Sequence, residues 1–463
     1  MTRRARLVAA CCVALLVLAL CPRAQATMVK KLGNGLTLVA RQDSDSATFG
    51  LSILIRATGY DDLDKPGVRN IMARALFSGS TAQPSGDLEL LQRARDMGGG
   101  VAAYTESDHI EIFAFGPMLL FSELLDYVGH CCTSPTFPPD GIAAAIRAAK
   151  AAIEERDAGV VTTAFEKARK LLYPVFPMHD TLGTVQSVDE ITREDVLAAA
   201  KRLLVGRRMV AALVAPLPEP QLIAELERRL AALPPGEPYQ PPNSEELMLA
   251  VYGSRELAPL KFRSRVETNE HAQAAVICLA YRVPAVGEEG WATAELAAAL
   301  LGASRFGRLT TDPWLDMRTV GIACLAMRQL DHNVLLAYAG TSVRIMEQVR
   351  ARMVRAIASL ATGEVTVAEL ARAREYVVGS EKMAQLTTHE QAREMAWGVL
   401  AGLGPDVEAA LAQAVNSVSR EDIRLFAEKW LADEKRGMVV LLPRPKFDPS
   451  LIQFPGLRRE GEG

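Results

Sequence analysis

Hydrophobic positions along the chain alternate between short continuous runs and stretches of helical spacing. Leu36–Ala40 is an apolar run behind the turn Gly33-Asn34-Gly35, and Phe49–Ala57 is a second; both predict strands. After Pro66 the period becomes helical over Gly67–Leu76, and again over Leu88–Met97, where Gly98-Gly99-Gly100 stops it. Val101–Thr105 and Ile110–Phe115 predict a paired β ribbon, and the alanine-rich Ile142–Arg156 and Ala164–Leu172 predict helices. Strands lead and helices follow, which is the order of an α+β layered architecture.

That order occurs twice. Ile191–Pro216 reads ITREDVLAAAKRLLVGRRMVAALVAP and Val418–Pro443 reads VSREDIRLFAEKWLADEKRGMVVLLP. In each, Thr or Ser stands at an N-cap before Arg-Glu-Asp, which places acids in the first helical turn. A short turn and an apolar run ending at proline then predict a buried strand. The shared phase and punctuation indicate a duplicated domain. Between the copies Leu233–Asn243 reads LPPGEPYQPPN, a proline-rich spacer. The expected organisation is therefore an N-terminal half over 28–233, a linker over 234–243, a C-terminal half over 244–445 and a polar tail over 446–463.

The first 26 residues stand apart. Arg3, Arg4 and Arg6 precede an apolar run from Leu7 to Leu20, and Ala24-Gln25-Ala26 follows. This is the pattern of a secretory signal with an A-x-A cleavage site; the run is about 14 residues, short of the ~20 that span a bilayer. An uncleaved anchor is the alternative. Loss of the four arginines in this segment moves the formal charge from −3 to −7. The expectation is an exported, periplasmic protein, with secretion or membrane anchoring as alternatives and no transmembrane span after cleavage. A mildly acidic chain with 49% hydrophobic residues is globular and offers no basic field for nucleic acid. The cysteines left after cleavage, Cys131, Cys132, Cys278 and Cys324, form no C-x-x-C pair and read as buried thiols.

Leu32-Gly33-Asn34-Gly35-Leu36 leads to the strand Leu51–Gly59, then Asp61-Asp62, Pro66-Gly67-Val68, a helix, and Leu76-Phe77-Ser78-Gly79-Ser80. Gly98-Gly99 precedes Ala103-Tyr104-Thr105, and Tyr173, His179 and Gly183 lead into the ITREDV helix. In the second copy Leu301-Gly302, Arg308-Leu309, Gly321-Ile322-Ala323 and Gly363-Glu364-Val365 keep the order. These ordered motifs resemble the insulinase/pitrilysin family of zinc metallopeptidases. The resemblance implies two homologous halves, each an antiparallel sheet with helices, facing each other across a cavity. It also implies zinc held by an H-x-x-E-H helix, whose glutamate serves as general base, and by a distal glutamate.

Here the chain departs from the family. The motif register falls on Asn70-Ile71-Met72-Ala73-Arg74, so Asn70 and Arg74 stand for the two histidines and Ala73 for the base; the distal glutamate falls at Ala151, with Glu154 and Glu155 displaced from it. None of these three is a zinc ligand, and a guanidinium would repel the metal. The six histidines are scattered, and His389-Glu390-Gln391-Ala392-Arg393 begins like a zinc motif but ends in arginine. Zinc is thus expected of the family and its ligands are absent. The family's carbonyl-gripping arginine and tyrosine fall at Met317 and Cys324, with Arg318 adjacent. Leu301–Arg308 resembles the glycine-containing loop of the family's non-catalytic subunits, which makes Arg305, Arg308 and Arg318 the candidate substrate-binding residues. Asp108, His109 and Glu111 lie on an alternating strand and read as facing water or a cavity.

The expected function is a catalytically inactive homologue, similar to the alpha subunit of mitochondrial processing peptidase and to core proteins of respiratory complexes, that pairs with an H-x-x-E-H subunit to form a peptide-binding chamber. A structural or assembly subunit of a larger complex, or a solitary peptide-binding protein, are the alternatives; an active zinc metalloendopeptidase ranks last.

Overall fold

The computed structural model describes residues 27–62, 65–77, 86–174, 181–240 and 263–444. The expected signal segment, Ser78-Gly79-Ser80, His179, the end of the linker, the start of the C-terminal half and the tail lie outside them. Two sheets carry the fold. The first has the order β1-β2-β6-β3-β5-β4, from β1 (Thr27–Lys31), β2 (Thr37–Gln42), β3 (Thr48–Arg56), β4 (Gly100–Thr105), β5 (His109–Pro117) and β6 (Met209–Ala215). The second has the order β7-β11-β8-β10-β9, from β7 (Arg263–Asn269), β8 (Ala275–Arg282), β9 (Thr319–Ala326), β10 (Val334–Thr341) and β11 (Gly437–Pro443). In each, the last strand of the copy pairs parallel with an early one (β6 with β2, β11 with β7), and the other pairings are antiparallel. The sheets are therefore mixed, which refines the antiparallel expectation, and their shared topology is the duplication in three dimensions.

The repeated punctuation has its expected physical role. Thr192 and Asp195 close a capping box at the start of the helix Arg193–Leu203, and Ser419 and Asp422 close the same box on Arg420–Trp430. Each box satisfies amide groups that the first turn leaves unpaired.

Side-chain alternation divides the first sheet into two buried faces. Leu38, Ala40, Leu51, Ile53, Ile55, Ile110, Ile112 and Leu213 pack with Ile71 and Met72 of helix α1 (Val68–Ala75). Val39, Leu54, Val210, Ala212 and Val214 face the other way, into the core of the second half. There the helix Thr388–Leu400 lies on them, through Ala392, Met395 and Ala396. The approach is close enough that a Cβ on Gly50 of β3 would stand 2.2 Å from the His389 amide nitrogen. The exchange is reciprocal: the helix Val160–Leu172, from the first half, sets Ala164, Ala168 and Leu172 against Val276, Cys278, Ala280, Val439 and Leu441 of the second sheet. Each sheet is thus completed by a helix from the other half. All four described cysteines are buried and free. Among the described residues no helix is long and apolar enough to cross a membrane.

Candidate functional site

Helix α1 carries the residues at the expected motif positions. Gly67 caps its start with φ 94°, and a Cβ there would meet the Leu182 carbonyl oxygen at 2.7 Å, so glycine is required. Asn70 and Ala73 are buried and Arg74 is half-buried. Arg74 Nε donates to Asn70 Oδ1 at 2.9 Å, one helical turn back, while Asn70 Nδ2 has no acceptor. Burial lowers the Arg74 pKa, yet a guanidinium remains a cation in proteins. An amide, a methyl group and a guanidinium do not fit zinc, which takes imidazole, thiolate or carboxylate. Ala151 is exposed on helix Pro139–Ala158, whose buried residues are Ile142, Ala145, Ala149 and Ile153, and Glu154 and Glu155 are exposed too. No group of three or more His, Cys, Asp or Glu that could hold a metal occurs among the described residues.

In the second half the three arginines part company. Arg308 is held by the fold itself. Its Nε donates to Glu369 Oε1 at 3.1 Å, its Nη1 to the Ser359 carbonyl and hydroxyl at 2.9 and 2.7 Å, and its Nη2 to the Glu364 carbonyl at 3.3 Å. That leaves the guanidinium committed to tying a loop to two helices. Arg305 and Arg318 are exposed, and Arg318 rests on the Trp314 ring at 4.8 Å. Met317 is 79% exposed, and Cys324 is sealed in the core beside Gly302, whose Cβ would meet the Cys324 amide nitrogen at 3.0 Å. Burial pushes the Cys324 thiol up, which makes it inert. The exposed Phe306 and Val320 accompany Arg305 and Arg318 beside β9, the last strand of its sheet.

The ribbon residues expected to face water or a cavity do not face water. Asp108, His109 and Glu111 are 4%, 9% and 0% exposed, because the second half covers that face of the first sheet. Glu111 accepts hydrogen bonds from Ser52 Oγ at 2.7 Å and from Tyr104 Oη, and its Oε1 lies 3.1 Å from His389 Nε2. Burial alone would raise the Glu111 pKa, but these bonds hold it below the usual carboxylate range. His389 stacks on Phe113, with ring centroids 4.6 Å apart. Glu390, the acid beside it, closes a capping box with Thr387 and has a structural task. Asp108 pairs with His109 Nδ1 at 2.7 Å and accepts the Leu330 amide at 2.9 Å; against burial, these contacts and Arg56 lower its pKa. Tyr239 of the linker stacks under Arg56 at 4.5 Å.

Beside these contacts an open pocket of about 240 Å³ lies between the halves, lined by Tyr104, Glu106, His109, Arg328, Arg393, Glu394 and Trp397. Sequence reasoning missed Glu106, Arg328, Glu394 and Trp397, which have no motif, and met Arg393 only as the end of the incomplete H-E-x-x-H pattern.

Residues 190–377 match the family model described as the Peptidase M16 inactive domain. No curated protein matches the chain. Among solved structures it is similar to a peptidase M16 inactive domain from Pseudomonas fluorescens, at 17% identity over 92% of this chain and 99% of that one, with a TM-score of 0.79. A protease from Helicobacter pylori is similar at 15% identity over 90% of this chain and 100% of that one, TM-score 0.77. A chain of complex III2 from Candida albicans is similar at 14% identity over 89% and 95%, TM-score 0.73. The fold, two related sheet-and-helix halves, is thus the one these M16 structures share, and residues 190–377 are similar in sequence to the M16 inactive domain.

Proposed function

We propose that this chain is an exported, non-catalytic M16 subunit that pairs with an H-x-x-E-H subunit and contributes to its peptide-binding chamber. The observation that carries the reading is Asn70, Ala73 and Arg74 at the three motif positions of an intact, buried helix. The scaffold is retained and the ligand set is not, so a chemical role needs a partner that supplies zinc. Arg305, Arg318, Phe306 and Val320, all exposed beside the free edge of β9, are the surface this subunit would offer an extended peptide. The likeness to a chain of complex III2 supports a second reading, a structural subunit of a membrane complex. Affinity purification from the native host decides between them. Recovery of an H-x-x-E-H subunit, with peptide cleavage by the pair and by neither zinc-free protein alone, is the expected result. Stoichiometric zinc and cleavage by the purified chain alone would overturn both readings.

A further inference from the structure

The pocket between the halves lies on the face of the first sheet opposite helix α1, so it is separate from the degenerate metal position. Two guanidinium groups (Arg328, Arg393) and two carboxyl groups (Glu106, Glu394) line it, between the aromatic walls of Tyr104 and Trp397. Arg328 stands in the left-handed region at φ 47°, a costly conformation for a residue with a side chain. Its Nη1 donates to Glu381 Oε2 at 2.9 Å and its guanidinium covers Trp397 at 4.7 Å, while Nε and Nη2 have no acceptor. Glu394 is nine-tenths buried, and its Oε2 has no donor. Its nearest cation in the pocket, Arg393 Nη2, lies 3.6 Å from Oε1, beyond a hydrogen bond. The wall of the pocket therefore carries both signs of charge side by side, and the unpaired Arg328 and Glu394 atoms, closed off from solvent behind it, cost stability.

A ligand of one sign would meet like charge on part of this wall. A ligand carrying a carboxylate beside an ammonium group meets both: the guanidinium groups suit the carboxylate, and the carboxyl groups suit the ammonium. The volume admits a molecule of amino-acid size, and the aromatic walls suit an apolar side chain.

We propose that this pocket binds a free α-amino acid as its zwitterion, held by Arg328, Arg393, Glu106 and Glu394 across the two halves. The ligand touches β4, the turn after it, β5, the β9–β10 loop and the helix Thr388–Leu400, so binding braces the junction. The proposal does not depend on the peptidase-partner reading.

Isothermal titration of the full chain with L-leucine and L-phenylalanine tests it. The same titration uses L-leucinamide, which lacks the carboxylate, N-acetyl-L-leucine, which lacks the ammonium, and the dipeptide Leu-Leu, in which the two are separated. Saturable binding of a free amino acid, at least about 10-fold tighter than of the three analogues, is the expected result. Arg393→Gln and Glu394→Gln each weaken it about 10-fold. Glu106→Gln, at an exposed turn, does the same and serves if a buried variant fails to fold by circular dichroism. No binding of either amino acid, equal binding of an analogue, or affinity unchanged in the folded variants would overturn the proposal.

Discussion

Replacing Gly50 by alanine puts a methyl group where the two halves meet most closely. The added Cβ would lie 2.2 Å from the His389 nitrogen, 2.4 Å from its Cα and 2.4 Å from the Thr388 carbonyl carbon. All three are backbone atoms, so no side chain can swing aside. To restore ordinary contact the helix Thr388–Leu400 must retreat by about 1 Å, and close-packed interiors resist such shifts. The retreat would stretch the Thr48–Thr388 hydroxyl contact at 3.2 Å and the His389–Glu111 contact at 3.1 Å. It would also loosen Met395 and Ala396 on the sheet. Overpacking costs about 1–3 kcal/mol, and the loss of those contacts places G50A near ~3 kcal/mol. For a unit of this size that lowers Tm by about 6–12 °C. The control is G379A. Gly379 sits in the helix Val367–Met383 with nothing within 4 Å of its would-be Cβ, so alanine stabilises there by about 0.5–1 kcal/mol. Differential scanning calorimetry of both variants is the assay. A G50A protein that melts within about 1 °C of the parent would refute the exchanged packing of the two halves.

Acidity supplies a second test. Burial raises both Glu295 and Glu394 to about 7, with Arg328 opposing the rise and Glu381 adding to it. Their folded-state pKa lies above the unfolded value near 4.3, so their contribution is fully present below that value and is lost as pH rises through about 7. Urea midpoints should fall between pH 5.5 and pH 8, and E295Q/E394Q should flatten the slope; a parent midpoint that rises over this range would count against it. A third test separates the arginines. Arg308→Ala should destabilise by about 1–3 kcal/mol, because it strips partners from a half-buried network. Arg305→Ala should stay within about 0.5 kcal/mol, and equal effects in chemical denaturation would remove the distinction drawn between them.

Much of this molecule is legible along the chain because its signals are local. The capping boxes at Thr192 and Ser419 need only residues three apart, and they mark the two copies. The strands Thr48–Arg56 and Met209–Ala215 announce themselves as apolar runs because both their faces are buried. The expected departure from the metal motif is local too: H-x-x-E-H spans five consecutive positions, and Asn70, Ala73 and Arg74 are read there directly from the chain.

The ribbon shows where local reading stops. Alternation in Thr105–Phe115 assigns two faces to the strand, but it does not say what covers the polar one. That depends on His389, which is 278 residues from Glu111 and reaches it only because the Thr388–Leu400 helix crosses to the other half's sheet. Arg308 likewise looks free for a ligand until Glu369, Ser359 and Glu364 arrive around it. The sequence by itself determined the duplication and the elements, since each rests on spacing within a turn or a strand. Only the tertiary structure decided the helix exchange, the burial of Glu111 and the charged pocket between the halves, because those depend on contacts between residues far apart in the chain.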